Sequence, residues 1–257
     1  FSLFTAMTTD HTIRGKKVFE DEIAALQAIC ARLDDSFVQA VNAMRKAIET
    51  GHKIIVVGVG KSGLIGNKIA ATLTSTGAPS VVLDSMNAMH GDLGMLKPED
   101  VVILVSNSGE TSEILNAIDP VHRIGCTIVA MTGNLQSPLA QRSDYALSVH
   151  VDKEACPLGL APTTSTTATL MMGDALLVCL MEKRKFQAED FSVYHPGGAL
   201  GRKLLGRVKN FMTQDVPRVS SKALFRDLVG EMSAKHLGMT MVYDQDACVG
   251  IITDGDV

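Results

Sequence analysis

Apolar residues recur at helical spacing early in the chain, at Val18, Ile23, Leu26 and Ile29, which predicts a helix from Ile13 to Leu33. A second helix is predicted from about Asp35 to Glu49, closed by Gly51. The period then changes. The β-branched run Ile54-Ile55-Val56-Val57 is followed by a helical pattern from Ser62 to about Ser75, then Val81-Val82-Leu83, Val101 to Val105, a helix from Thr111, Thr127 to Met131, and Tyr145 to Val149. Strands that are apolar throughout and separated by helices predict a parallel sheet covered on both faces. A long helix is expected over about Thr166 to Lys185, and the segment Asp190 to Gly198 is expected to break regularity before Ala199 to Leu205.

Past Gly206 the rhythm becomes β-α-β-β: Arg218-Val219, a helix over Ala223 to Met232, Met239 to Tyr243, a turn at Asp244-Gln245-Asp246, and Val249 to Thr253. The expected fold class is therefore α/β, a doubly wound parallel five-stranded sheet with N-terminal helices. A small α+β module follows it. The expected domains are residues 12–205 and 206–257.

Composition narrows the function. With 46% apolar residues in 257, the chain can bury a sizeable core. A net charge of −4 with Lys and Arg dispersed argues against a nucleic-acid partner. No apolar run approaches the ~20 residues of a membrane span, and the N-terminus lacks the basic-then-apolar pattern of a signal peptide. Phe1 to Met7 are set aside from fold reasoning. Five cysteines without a CxxC pair fit a reducing cytoplasm, where most would be small buried apolar groups.

Candidate chemistry gathers where strands end. Gly58-Val59-Gly60-Lys61-Ser62-Gly63 feeds a helix directly, so backbone amides and the helix dipole converge there on any anion. Its spacing fits neither the P-loop nor GxGxxG, and a tight structural turn is the competing reading. The strand Val101 to Val105 ends in Ser106-Asn107-Ser108-Gly109-Glu110-Thr111, a set of neutral donors suited to a phosphate monoester; an N-cap with spare hydroxyls is the alternative. In a doubly wound sheet both turns would face one crevice at the switch point. Glu154 follows the last strand at the same rim, ahead of a run of hydroxyls, Thr163 to Thr167, that can also cap the long helix. His195 is the other ionisable group in a constrained loop. His90 has no second His or Cys nearby at ligand spacing, so a required metal site has little support and a surface-loop or supporting role is expected.

The motifs GVGKSGLIGNKIAATLTSTGAPS, HGDLGML, SNSGETSEI, KEACPLGLAPTTSTTATLMMGDAL and HPGGALGRKLL, in this order, resemble the sugar isomerase (SIS) domain of the D-arabinose 5-phosphate isomerases. The resemblance covers Phe19 to Leu205. The tail ending VGIITDGD resembles the first module of the tandem CBS pair that accompanies such domains, without the second. The resemblance implies a cofactor-free aldose-ketose isomerisation of D-ribulose 5-phosphate to D-arabinose 5-phosphate in the cytoplasm, feeding Kdo for lipopolysaccharide or capsule. It implies a catalytic set of Lys61, Glu113, Glu154 and His195, and substrate contacts from Gly60, Ser62, Ser106, Asn107, Ser108, Thr111 and His90. It implies a homotetramer, each site completed by a neighbour's His loop, and a nucleotide ligand at a CBS pair.

Two departures stand at the pocket edge. Leu64 and Asn67 replace the family's His and Arg, and Ser85 and Asn87 replace its Pro and Glu, which bears on affinity and substrate range. An enediol path needs one base and one donor for the developing oxyanion. Glu154, its pKa raised by desolvation, is the expected carbon base, with His195 in ring opening or the shuttle between O1 and O2, and these two roles are exchangeable. Lys61 and Glu113 would orient and polarise. The rival readings are an SIS isomerase for another sugar phosphate and a non-catalytic sugar-phosphate sensor.

Overall fold

The computed structural model describes residues 10–198, 201–203 and 206–257, so the expectation over Ala199 to Leu205 lies largely outside the described residues. The chain divides into two compact units between Gly201 and Arg202. In the first, helices α1 (His11–Cys30) and α2 (Asp35–Glu49) precede the alternation β1 (Ile54–Gly58), α3 (Gly60–Ser75), β2 (Ser80–Val82), α4 (Ser85–Ala88), β3 (Val101–Val105), α5 (Ser112–Ile124), β4 (Thr127–Thr132), α6 (Pro138–Gln141), β5 (Tyr145–Ser148), α7 (Thr164–Lys183) and α8 (Ala188–Tyr194). The five strands are parallel in the order β2-β1-β3-β4-β5. This is the doubly wound sheet expected from the apolar runs.

Alternation along the strands divides the core in two. Ile54, Val56, Ile103, Val105, Val129 and Met131 face α2, α3 and α7, where Met44, Ile69, Leu73, Met172 and Leu176 pack. Ile55, Val57, Val102, Leu104, Ile128 and Ala130 face α5 and α6 through Ile114, Ile118 and Leu139. Because β1 and β3 are covered on both sides, no polar residue interrupts their apolar runs. Gly173 lets α7 lie against α3, since a Cβ there would come within 2.5 Å of Ile69.

The second unit carries β6 (Arg218–Ser220), α9 (Phe225–Lys235), β7 (Met239–Asp244) and β8 (Ala247–Thr253). β6 and β7 run parallel, β7 and β8 antiparallel. This is a small α+β module.

Three expectations change. Residues 188–194 form α8 rather than an irregular segment, because Gln187 and Asp190 cap it reciprocally and Tyr194 lies over Gly77, where any Cβ would clash at 2.6 Å. Helix α7 has the length and mean hydropathy, 1.3, of a membrane span. Its apolar surplus instead fills the core against α2 and α3. Of the five free cysteines only Cys126 is buried; burial, then Asp100, push its thiol up to about 11.

At the floor of the sheet Asp100 is fully buried. Its carboxylate accepts from Lys53 Nζ at 2.6 Å, Lys53 N at 3.0 Å and Lys97 N at 2.8 Å. The bonds tie the start of β1 to the turn before β3. Burial alone raises its pKa, but the Lys53 and Lys97 bonds outweigh it and hold the carboxyl below the ordinary 3.8. Asp100→Ala, which leaves Lys53 unpaired, is expected to lower the unfolding free energy by about 3 kcal/mol in urea titrations. A depressed folded-state pKa gives stability that is complete above the unfolded value and lost as pH falls through the folded one. The gap between wild type and Asp100→Ala should therefore be constant at neutral pH and shrink only below about pH 4. An equal gap at pH 3 and pH 7 would show that the charge is not what stabilises.

Candidate active site

The glycines after β1 serve two purposes. A Cβ on Gly63 would lie 2.7 Å from the Gly58 carbonyl oxygen, and one on Gly58 would lie 2.9 Å from Gly63 N. These two are needed for the sharp reversal from strand into helix. Gly60 instead has a positive φ of 59° with open space around it, and it begins α3. Val59, the N-cap residue of α3, makes no side-chain cap bond, and among the described residues its first-turn amides are open to an external acceptor, beside exposed Lys61 and half-buried Ser62.

The second turn stands next to the first, because Gly58 pairs with Val105 in the β1–β3 ladder. Ser106 is buried; its Oγ is 2.8 Å from Thr111 Oγ1 and accepts from Gly109 N at 3.1 Å. Ser108 Oγ accepts from Glu110 N at 3.2 Å. The Asn107 carbonyl accepts from Gly133 N at 2.9 Å, fixing this turn to the end of β4. Gly109, at φ 69°, passes so near Ser137 that a Cβ would lie 2.1 Å from its Oγ. Thr111 is the N-cap residue of α5 without a side-chain cap bond; Ile114 N turns back to the Thr111 carbonyl at 3.1 Å, which leaves the Ser112 amide at the helix start for an external acceptor. Glu113 lies in its first turn, where its own amide and Ser112 Oγ hold the carboxyl below the ordinary range.

Glu154 occupies a third helix start. Its Oε2 accepts from Thr163 N at 2.8 Å, Thr163 Oγ1 at 3.1 Å and Ser165 N at 3.2 Å, and its Oε1 accepts from Ser165 Oγ. The carboxylate is the cap of α7. Desolvation pushes its pKa up, but the Ser165 and Thr163 bonds outweigh burial and the group stays below its ordinary 4.5. The expected raised pKa is therefore corrected: partial burial came with four donors, and they favour the ionised form. Thr163 and Ser165, read from sequence as helix caps in their own right, are partners of Glu154; the dense hydroxyl run was the signal, but the acceptor lies nine residues upstream.

His195 lies apart from these groups within the chain. It lines a groove with Asn67, Ala70 and Thr74 of α3, Ser80 to Val82 of β2, and Tyr194. Its Nδ1 is 3.0 Å from the Phe191 carbonyl oxygen and its ring stacks on Phe191 at 3.9 Å between centroids. Among the described contacts it shares none with Glu154, Lys61 or the 106–113 turn. His90 is exposed in the turn after α4, ahead of Gly91 at φ 122°. No group of three His, Cys, Asp or Glu among the described residues is close enough to hold a metal.

Comparisons with known proteins place the chain in a family. Residues 48–179 match the SIS domain family and residues 208–257 the CBS domain family. The arabinose 5-phosphate isomerase KdsD of Escherichia coli K12 is 49% identical over 246 residues, 95% of this chain and 74% of the relative. That of Pseudomonas aeruginosa is 47% identical over 236 residues, 91% of this chain and 72% of the relative. Among solved structures, the c3406 protein of E. coli CFT073 in complex with arabinose 5-phosphate is 39% identical with a TM-score of 0.69, covering 74% of this chain and 99% of that one. A phosphoheptose isomerase from Francisella tularensis, 22% identical with a TM-score of 0.56, covers 68% of this chain and all of its own, and shows the shared fold. Across both sequence and architecture, the chain belongs to the arabinose 5-phosphate isomerase family of SIS-domain proteins, with a CBS domain following.

Proposed function

We propose that the protein interconverts D-ribulose 5-phosphate and D-arabinose 5-phosphate through an enediol, supplying Kdo synthesis in the cytoplasm. The observation that carries this reading is the pair of uncapped helix starts, α3 and α5, opening side by side from neighbouring strands in a chain of this family. Substrate phosphate accepts from the first-turn amides and from Ser62, Ser106, Ser108 and Thr111, with Gly60 allowing close approach and Asn107 shaping the turn. Lys61 and Glu113 orient and polarise the sugar, and His90 faces it from the turn after α4. Residues 12–205 would carry the reaction and 206–257 would regulate it, a nucleotide binding where two CBS modules pair.

The four donors on Glu154 favour the exchanged assignment of roles. A carboxylate held below its ordinary pKa is a weak base for carbon, and it suits a fixed negative charge that orients the substrate and the proton-carrying group. His195 then moves the proton between C1 and C2. Because its groove lies against α3 and β2, it acts in the site of a neighbouring copy, as a homotetramer would provide. The apolar groove formed by Ile23, Leu26 and Leu33 with Met171, Met172 and Ala175 supports such association.

Conversion is to be followed by NMR of ribulose 5-phosphate, watching for arabinose 5-phosphate anomeric signals. Ser108→Ala and Thr111→Ala should each raise KM, with kcat nearly unchanged, by an amount matching a lost hydrogen bond to a charged group of roughly 1.5–3 kcal/mol. Unchanged KM in both would remove these residues from the site. In heavy water, His195→Ala should lose deuterium incorporation at the transferred carbon together with turnover, whereas Glu154→Gln should keep measurable exchange. The reverse pattern makes Glu154 the base. Light scattering should show an oligomer, and an active species of 27.4 kDa would end the shared-site reading.

A further inference from the structure

The segment that carries Glu154 is held along its length by α1. Arg14 Nη2 donates to the Ala155 carbonyl at 2.9 Å, the peptide directly after Glu154. Two turns further along, Asp21 pairs with Lys153 Nζ at 3.2 Å and with Lys17 Nζ at 3.1 Å. In the turn beyond the helix, Arg32 Nη2 donates to the His150 carbonyl at 2.7 Å. Positions 14, 21, 25 and 28 fall on one face of a 3.6-residue helix. Between the charged contacts that face is alanine: Ala24, Ala25 and Ala28 line the cleft against His150 to Lys153. Small side chains let the segment lie close, and the charged ones fix where along the helix it lies.

Fastening α1 to the domain would not require these contacts, because Leu26 and Ile29 already pack it into the core and Glu22 accepts from Thr167 Oγ1 of α7 at 3.1 Å. Arg14 and Arg32 instead bond backbone carbonyls of a segment outside regular structure, at both ends of the residues leading through Glu154. Ala155 is gripped from two sides, since its N–H lies 3.0 Å from both Thr163 Oγ1 and Thr164 Oγ1 while its carbonyl takes the Arg14 guanidinium.

We propose that Arg14 is a positioning residue of the isomerase: through the Ala155 carbonyl it sets the peptide that places the Glu154 carboxylate at the start of α7. The inference rests on the reading that Glu154 serves the reaction. A displacement of about 1 Å in a reacting constellation can cost about a hundredfold in rate, and a guanidinium bonded to a carbonyl is a stiff means of preventing it.

The test compares full-length wild type, Arg14→Ala, Arg14→Lys and Glu154→Gln with ribulose 5-phosphate, alongside thermal unfolding of each. Arg14→Ala should lower kcat by about 10- to 100-fold and leave KM within about twofold, because the phosphate turns are untouched. Arg14→Lys, which still offers one donor to the Ala155 carbonyl, should recover most of the loss, and millimolar guanidinium should partly restore Arg14→Ala. Wild-type kcat in Arg14→Ala while Glu154→Gln is impaired overturns the positioning role alone. Full activity in Glu154→Gln overturns the reading of Glu154 and this inference with it. A loss in Arg14→Ala that neither lysine nor guanidinium recovers, with a lowered melting temperature, assigns Arg14 to folding only and also overturns the proposal.

Discussion

The first four N–H groups of any helix lack partners within it, and how that demand is met at one rim of the sheet organises this domain. Helices α3, α5 and α7 all start there, since each follows the carboxyl end of a parallel strand. At α7 the demand is met by the side chain of Glu154, which accepts from Thr163 N and Ser165 N. The other two have no side-chain cap. An anion that accepts from them gains both the orphan donors and the dipole of each helix. The proposed site thus follows from backbone polarity, and the hydroxyls of Ser62, Ser106, Ser108 and Thr111 would add reach and selectivity to it.

Glu154 shows the same demand answered internally, with a cost in basicity. Two amides and two hydroxyls lower its proton affinity more than partial burial raises it. What the arrangement supplies is position: an ionised carboxylate whose two oxygens are each engaged cannot swing. His195 is placed differently, on a seven-residue helix closed by its own capping box, with one ring nitrogen bonded to the Phe191 carbonyl. That bond sets the ring's orientation. In the proposed reaction a fixed charge at Glu154 and a separate imidazole at His195 would divide orientation from proton transfer.

Much of the fold was legible because its signals are local. Short β-branched runs such as Val101 to Val105, bounded by turn residues, favour strands buried on both faces, and the turns after them announce themselves by glycine and hydroxyl content. The register joining Gly58 to Val105, which brings the two donor turns together, followed from the doubly wound topology. What was not legible depends on side chains meeting across sequence distance. The partner of the hydroxyls at 163–165 lies at Glu154, so a sequence reading could see caps but not their acceptor, and took burial alone as the influence on its pKa. Arg14 and Ala155 are 141 residues apart, and no composition or period marks that pair. Helix α8 was missed because seven residues carry too little periodicity, although Gln187 and Asp190 stood at capping-box spacing.

The glycines separate what the fold needs from what the ligand needs. Gly58, Gly63 and Gly109 are fixed by neighbours that leave no room for a Cβ, so they would be required even in an SIS domain that bound nothing. A Cβ on Gly60 would meet no atom within 4 Å, and its φ of 59° is reason enough for glycine; the open space beside it would let an anion approach the α3 amides. A glycine pattern read as a single motif therefore joins two constraints of different origin. Packing turns the chain sharply at the end of β1, and that same turn sets the start of α3 beside the turn that follows Val105.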